Sequence, residues 1–339
     1  MSLQDSGQYY HEVLKRIPPR DLPAFEDEAM QERVWGRRWG VHDDVGPLRT
    51  VLVHRPGDEI RMMTADRYDP SIEALIDDEA QWYWRGDRAP DLTVMQKEHD
   101  ALVEALAREG AEVVHVGGSP TDPKAMFTRD NGLIVPGGAI ICRMGPVGAR
   151  PGMGRRGEEA HVSRVVAGLG MPILRTIHGS GLFEGGSFAL LNGTTAVAGL
   201  SFRQNEEAAR QIEEVLAVLG IRLLRVPLAG HALHIDGQLV MVDEDLALIN
   251  IERTPYWFLD TLRDLKIRWV EVHHADNPRV LNCLAVRPGK VLLAINNGDG
   301  TAERLVDHGV EVVPLDYAEC QRNGGGIHCS TLPLVRDRS

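Results

Sequence analysis

Ser187–Leu228 reads SFALLNGTTAVAGL, SFRQNEEAARQIEEVLAVLG, IRLLRVPL. Its first piece alternates apolar residues on both sides of Asn192-Gly193, the dipeptide that best closes a two-residue hairpin because both central residues tolerate φ > 0. The second piece carries apolar residues at helical spacing. Asn205 stands at its start as a cap and Gly220 stops it. The third is a short aliphatic run that suits a buried strand. Hairpin, helix and strand in that order make one unit. Its small sheet can cover only one face with its own helix.

The same order recurs along the chain. GLIVPGGAIICRM, QLVMVDEDLALIN and CLAVRPGKVLLAIN are further hairpins, and LRTVLVHRPGDEIRMM is expected to be another, turning at Pro56-Gly57. Each is followed by a helical stretch (MQKEHDALVEALAREG, EEAHVSRVVAGLG, YWFLDTLRDL, TAERLVDHG) and then a strand (AEVVHV, MPILRTI, IRWVEVHH, VEVVPLD). Five such units, at roughly 40–50-residue spacing and wider in the first, fall in the range of repeat architectures. An open α/β sheet shares the alternation. A closed ring of five units also explains the recurring hairpins and leaves no exposed sheet edges. The expected fold is therefore an α/β five-unit pseudo-symmetric propeller over residues 46–339, in a single domain. Residues 1–45, with Trp35 and Trp39, form a capping extension. Residues 62–93, with Trp82 and Trp84, interrupt the first unit as a lid or insertion.

Composition narrows the function. The chain has 339 residues and a net charge of −12, which speaks against nucleic acid as a partner. No apolar run approaches a membrane span, and the N-terminus MSLQDSGQYYHEVLKR lacks the apolar core of a leader. Four cysteines without a CxxC pair fit a reducing compartment, so a cytoplasmic location is expected. Assembly into a homo-oligomer is left open.

The segments between units carry the residues of interest: FTRDNG with Arg129 and Asp130, GLFEGGS with Glu184, GHALHIDG with His234 and Asp236, DNPRVLNC, and NGGGIHC with Cys329. Taken singly, each has a bland reading. Asp130-Asn131-Gly132 makes a good turn, Glu184 a solvated acid, His234 a structural histidine and Arg203 in SFRQN a surface charge. In a ring, however, these segments occupy equivalent places and converge at one mouth of the axis. Cys283, Cys320, His273 and His274 read as structural, and the spacing of metal ligands is absent.

Clustered carboxylates repel unless a cation sits among them. A guanidinium is flat and permanently charged, and its forked donors suit paired carboxylates. Asp130 and Asp236 could clamp one while the Cys329 thiolate attacks its central carbon. His234 could protonate the departing nitrogen and then activate water, with Glu184 either orienting it or holding a guanidinium nitrogen. Arg203 could pair a distant substrate carboxylate. Such chemistry needs neither cofactor nor metal, only a small guanidino substrate.

The motifs HRPGDE, QKEHDALVEAL, FTRD, FEGG, HIDGQLVMVDED and HCSTLPLVR resemble the guanidine-group-modifying superfamily, whose pentein fold is a five-unit α/β propeller. The resemblance runs from about residue 46 to 336 and is nearest to the arginine deiminases, with agmatine deiminases and amidinotransferases also similar. It implies Cys329 as nucleophile, His234 and Glu184 as the acid/base pair, Asp130 and Asp236 as guanidinium binders, and Arg203 and Arg129 as further substrate-binding residues. The implied activity is hydrolysis of the guanidino group of arginine or a close derivative through a Cys-thiouronium intermediate, giving a ureido product and ammonia. The alternative is an amidinotransferase that passes the amidino group to an amine. The chain leaves no room for the helical insertion of arginine deiminases, for which residues 62–93 could be a shorter substitute. Ser187 follows Glu184-Gly185-Gly186 where arginine deiminases tend to have Asp and agmatine deiminases Asn. FEGGS stands where amidinotransferases usually carry an FDAAD-like acid motif. Dimethylargininases usually carry Lys where Asp236 stands, which disfavours them.

Overall fold

The computed structural model describes residues 2–21, 24–25, 27–118, 121–145 and 155–339. Among these, five three-stranded sheets share one strand order, with the middle strand antiparallel to one neighbour and parallel to the other. In the opening stretch, Thr195–Leu200 pairs antiparallel with Phe188–Asn192 across Asn192-Gly193 and parallel with Arg222–Pro227. The helix between them, Glu206–Val218, starts where Asn205 accepts the Ala208 N–H at 3.1 Å. It buries Ala208, Ala209, Ile212 and Leu216, a single stripe at helical spacing.

Three more units repeat this plan. Their hairpins are Gly132–Val135 with Gly138–Ile141, Leu239–Asp243 with Leu246–Ile249, and Leu284–Arg287 with Lys290–Ala294. Their return strands are Ile173–Thr176, Arg268–Glu271 and Glu311–Leu315. Helices Glu158–Gly168, Tyr256–Asp264 and Gly300–Asp307 cover them. Side chains such as Phe258, Leu262 and Leu305 are fully buried beneath the sheets, each stabilising by roughly 1.5–3 kcal/mol relative to exposure.

The first unit departs from the sequence reading. Pro56-Gly57 does not turn a hairpin; the chain enters a 3-10 turn over Asp58–Met62. The Glu59 carboxylate accepts from the Gly57 N–H at 2.7 Å and meets His54 Nε2 at 3.1 Å, which diverts the backbone. The antiparallel partner of Leu48–Val53 is instead the last strand, Leu332–Arg336, with Leu52 opposite Leu332. The parallel return strand is Glu112–His115, after helix Leu92–Arg108. The two ends of the chain thus complete one sheet.

Residues 62–93 contain a sixth sheet, the antiparallel meander Tyr68–Asp69, Ala74–Asp77 and Trp82–Arg85. Trp82 and Trp84 are buried. In the N-terminal segment, Trp39 is buried and its carbonyl accepts from the Gly137 N–H at 3.0 Å. No helix is long and apolar enough to cross a membrane among the described residues.

Candidate active site

Each of the four internal hairpins is entered through a 3-10 turn: Thr128–Asn131, Gly185–Ser187, Ile235–Gly237 and Pro278–Leu281. The first packs on the second, the second on the third and the third on the fourth. Glu184 and His234 occupy the same position, the extended residue just before a turn. Cys329 lies in the corresponding turn before the last strand, closed by Ser330 N–H to the Gly326 carbonyl at 3.0 Å. Tight approach demands the glycines: a Cβ on Gly185 would lie 2.1 Å from the Arg129 carbonyl oxygen.

Asp130, Glu184, Arg203, His234 and Cys329 line one cavity of about 440 Å³. His234 Nε2 meets Glu184 Oε2 at 2.7 Å, while its Nδ1 is 3.7 Å from Asp130 and 3.9 Å from Asp236. Asp236 lies at the base of this group, with Oδ2 3.7 Å from Cys329 Sγ and 2.9 Å from His328 Nδ1. Arg203 enters the cavity as expected, but its Nη1 holds Glu184 Oε1 at 2.5 Å. Arg129 is apart from the cavity. It is buried beside Asp44 and Asp236, because neighbouring residues on a 3-10 turn point in different directions and Asp130 takes the inward one. Ser187 also faces away, donating to the Gly199 carbonyl at 3.0 Å.

Electrostatics follow from this crowding. Burial opposes charge on His234, but Asp130, then Glu184 and Asp236, outweigh it and raise its pKa to about 9. Burial likewise pushes Glu184 up, and His234 and Arg203 more than reverse this. Burial, with the Asp236 and Asp130 carboxylates, pushes the Cys329 thiol well up. The same carboxylates that favour charge on His234 thus disfavour the Cys329 thiolate. A bound cation would reverse that effect on the sulfur.

Several residues that line the cavity or contact Cys329 were not legible as such. Asn282, from the fourth inter-unit segment, donates its Nδ2–H to Cys329 Sγ at 2.9 Å and accepts the Cys329 N–H at 3.0 Å. The only signal was its place between units. Arg155 pairs with Asp130 and, at 2.7 Å, with Glu158; nothing in its local sequence marks it. Lys124 is buried, and its Nζ donates to the Tyr83 carbonyl, the Asn323 carbonyl and Asn323 Oδ1 at 2.6, 2.5 and 2.7 Å. It ties the 62–93 meander, which contributes Trp82 and Tyr83 to the cavity, to the tail that carries Cys329. One further arrangement escapes the sequence: ligand atoms of Asp130, Glu184 and His234 lie within 4.8 Å of one another, close enough to hold a metal ion. Arg155 and Arg203 already engage both carboxylates.

Repeated three-stranded sheets, with a thiol, an imidazole and carboxylates meeting at their inner turns, place the chain among the guanidine-group-modifying proteins. A family model described as N,N dimethylarginine dimethylhydrolase, eukaryotic, matches residues 73–336, and the chain belongs to that family. It is 27% identical over 235 residues to the N(G),N(G)-dimethylarginine dimethylaminohydrolase of Streptomyces coelicolor, covering 69% of this chain and 84% of that one. An arginine deiminase of Oenococcus oeni aligns over 421 positions at 20% identity, covering 88% of this chain and 97% of that one. The solved structure of DDAH from Pseudomonas aeruginosa complexed with citrulline superposes with a TM-score of 0.67 at 20% identity, covering 84% of this chain and 99% of that one. The family match corrects the reading that Asp236 disfavours dimethylargininases. Here Asp236 is held by this chain's own His328.

Proposed function

We propose that the protein is a thiol-dependent hydrolase of the guanidino group of arginine or a close derivative, working through a covalent Cys329-thiouronium. The observation that carries this reading is the meeting of Cys329, His234, Glu184 and Asp130 around one cavity, with Asp236 against the sulfur. A guanidinium entering between Asp130 and Asp236 offsets the field that holds the thiol protonated. The thiol then gives its proton to water, and Sγ attacks the central carbon. Protonated His234 donates to the departing nitrogen, which leaves as ammonia, or as an alkylamine if that nitrogen is alkylated. Neutral His234 next takes a proton from water as the hydroxide adds to the thiouronium carbon. The C–S bond breaks, and a ureido product leaves with Cys329 restored. Glu184 keeps His234 oriented throughout, and Arg203 offers its free guanidinium nitrogens to a substrate carboxylate.

In the same reading the five sheets surround one axis as a pseudo-symmetric propeller. Their shared strand order, the succession of packed inner turns and the closure of the first sheet by the last strand support this. Residues 62–93 act as a lid, since their meander walls the cavity, and residues 1–45 as a cap. The four free, buried cysteines fit a reducing cytoplasm.

The test is turnover of arginine, N-methylated arginines and agmatine, with ureido product, ammonia and alkylamine measured with and without an added amine acceptor. Ureido product without acceptor is expected. Turnover only with the acceptor would assign an amidinotransferase, and none with any guanidino compound would end the reading.

A further inference from the structure

A second groove, of about 630 Å³, lies outside the catalytic cavity, between the 62–93 meander and helix Ala318–Arg322. In a chain of net charge −12, three guanidinium groups line it: Arg85, Arg279 and Arg322. Their charges are poorly answered. Arg279 is half-buried, and its side chain has no hydrogen bond or ion pair among the described residues; burial and the nearby Arg85 charge depress its pKa. Among the described residues, the Arg85 guanidinium reaches the Gln321 carbonyl, at 3.4 Å, and the face of Tyr83. Arg322 donates to the Arg85 carbonyl at 3.3 Å and is 3.4 Å from Glu319, but that carboxylate is held more closely by Arg88, at 2.5 Å. Gln321 also belongs to the lining. Gln321 is 3% exposed and its Oε1 accepts from Asn296 at 2.7 Å, while its Nε2 is buried without an acceptor. Glu73 and Asp87 also line the groove, but both are exposed, where water and salt screen them.

Like charges gathered on a partly desolvated surface, together with an unsatisfied donor, are costly unless an acceptor arrives. We propose that this groove binds a small oxyanion ligand, a carboxylate- or phosphate-bearing metabolite, with Arg279 as its principal contact. Forked guanidinium donors match both anion types. The site is connected to the catalytic cavity at both walls. Gln321 and Arg322 directly precede Asn323, and Arg85 is two residues from Tyr83; both Asn323 and Tyr83 line the cavity and hold Lys124. Its existence does not rest on the hydrolase reading.

Titration calorimetry of the full-length protein with citrate and with inorganic phosphate, at constant ionic strength, tests it. Saturable binding of at least one is expected, and the stronger of the two identifies the chemistry. Arg279→Ala, a half-exposed position whose loss should leave the fold intact, is expected to weaken binding about tenfold or more, the scale of losing a charge-assisted contact. Cys329→Ala should bind as the unaltered protein does, which separates this site from the catalytic one. Absence of saturable binding by either anion, equal affinity in Arg279→Ala, or loss of binding in Cys329→Ala would overturn the proposal.

Discussion

Glu184 stands between two cations. One carboxylate oxygen is 2.7 Å from His234 Nε2, and the other is 2.5 Å from Arg203 Nη1. This bridge couples the charge of the imidazole to the shape of the cavity.

His234 is raised from an ordinary value near 6.5 to about 9, so its contribution to stability is complete below about pH 6.5 and is lost as the pH climbs through about 9. Glu184 is depressed from about 4.5 to about 2, so its contribution is complete above about pH 4.5 and is lost as the pH falls through about 2. Both contributions are whole between about pH 4.5 and 6.5. Thermal melts should show Glu184→Gln losing its deficit relative to the unaltered protein as the pH rises from 6.5 to 9, by roughly 3 kcal/mol at most. A deficit independent of pH in that window would mean that the pair does not carry the charge described.

Cys329→Ala should lower turnover by at least about 10⁴-fold while leaving the far-UV spectrum and melting behaviour close to native, since covalent catalysis loses its nucleophile. Retained activity would remove the sulfur from the reaction.

The Asn282 amide holds both the sulfur and the backbone nitrogen of Cys329. Asn282→Ala withdraws a donor that favours the thiolate. The pH midpoint for alkylation of Cys329 by iodoacetamide should move upward, and kcat should fall by about 10- to 100-fold with KM nearly unchanged. An unshifted alkylation profile would leave Asn282 a packing role only.

Gly186 packs against His234, Asp130 and Asp236. A Cβ there would be 2.7 Å from His234 Nδ1, 2.8 Å from Asp130 Oδ1 and 3.1 Å from Asp236 Oδ2. Gly186→Ala should displace His234 and cost on the order of 10²-fold in kcat/KM, because a misplacement of about 1 Å is enough for such a loss. Steady-state kinetics alongside a melt will show whether activity falls further than stability.

Arg203→Ala separates two duties of one side chain. Loss of its bond to Glu184 should slow all substrates alike, measured with agmatine, which has no carboxylate. Substrates bearing a carboxylate should lose a further factor of about ten in KM, the scale of one charge-assisted pair. Equal losses for both would confine Arg203 to Glu184.

Much of this molecule was legible from local pattern. Asn192-Gly193 and Pro136-Gly137-Gly138 turn the hairpins expected of them, and Asn205 and Gly220 bound their helix, because turns and caps depend on residues a few positions apart. The recurrence of the unit then pointed to Glu184, His234 and Cys329 as equivalent loop positions. Residues whose role depends on distant partners were not legible in this way. Lys124 acquires meaning only from Tyr83 and Asn323, Asn282 only from Cys329, and Arg155 only from Asp130.

By itself, then, the amino-acid sequence determined the repeated hairpin, helix and strand, the inner turns and the kinds of side chain those turns carry, since these rest on short-range sterics and periodicity. Only the tertiary structure decided that Leu332–Arg336 closes the sheet of Leu48–Val53, that Asp130 faces the cavity while Arg129 turns away, and that Arg203 grips Glu184. Pairing between strands nearly a chain length apart, and the competition of several charges for one small buried volume, depend on burial and proximity in three dimensions, which no local pattern encodes.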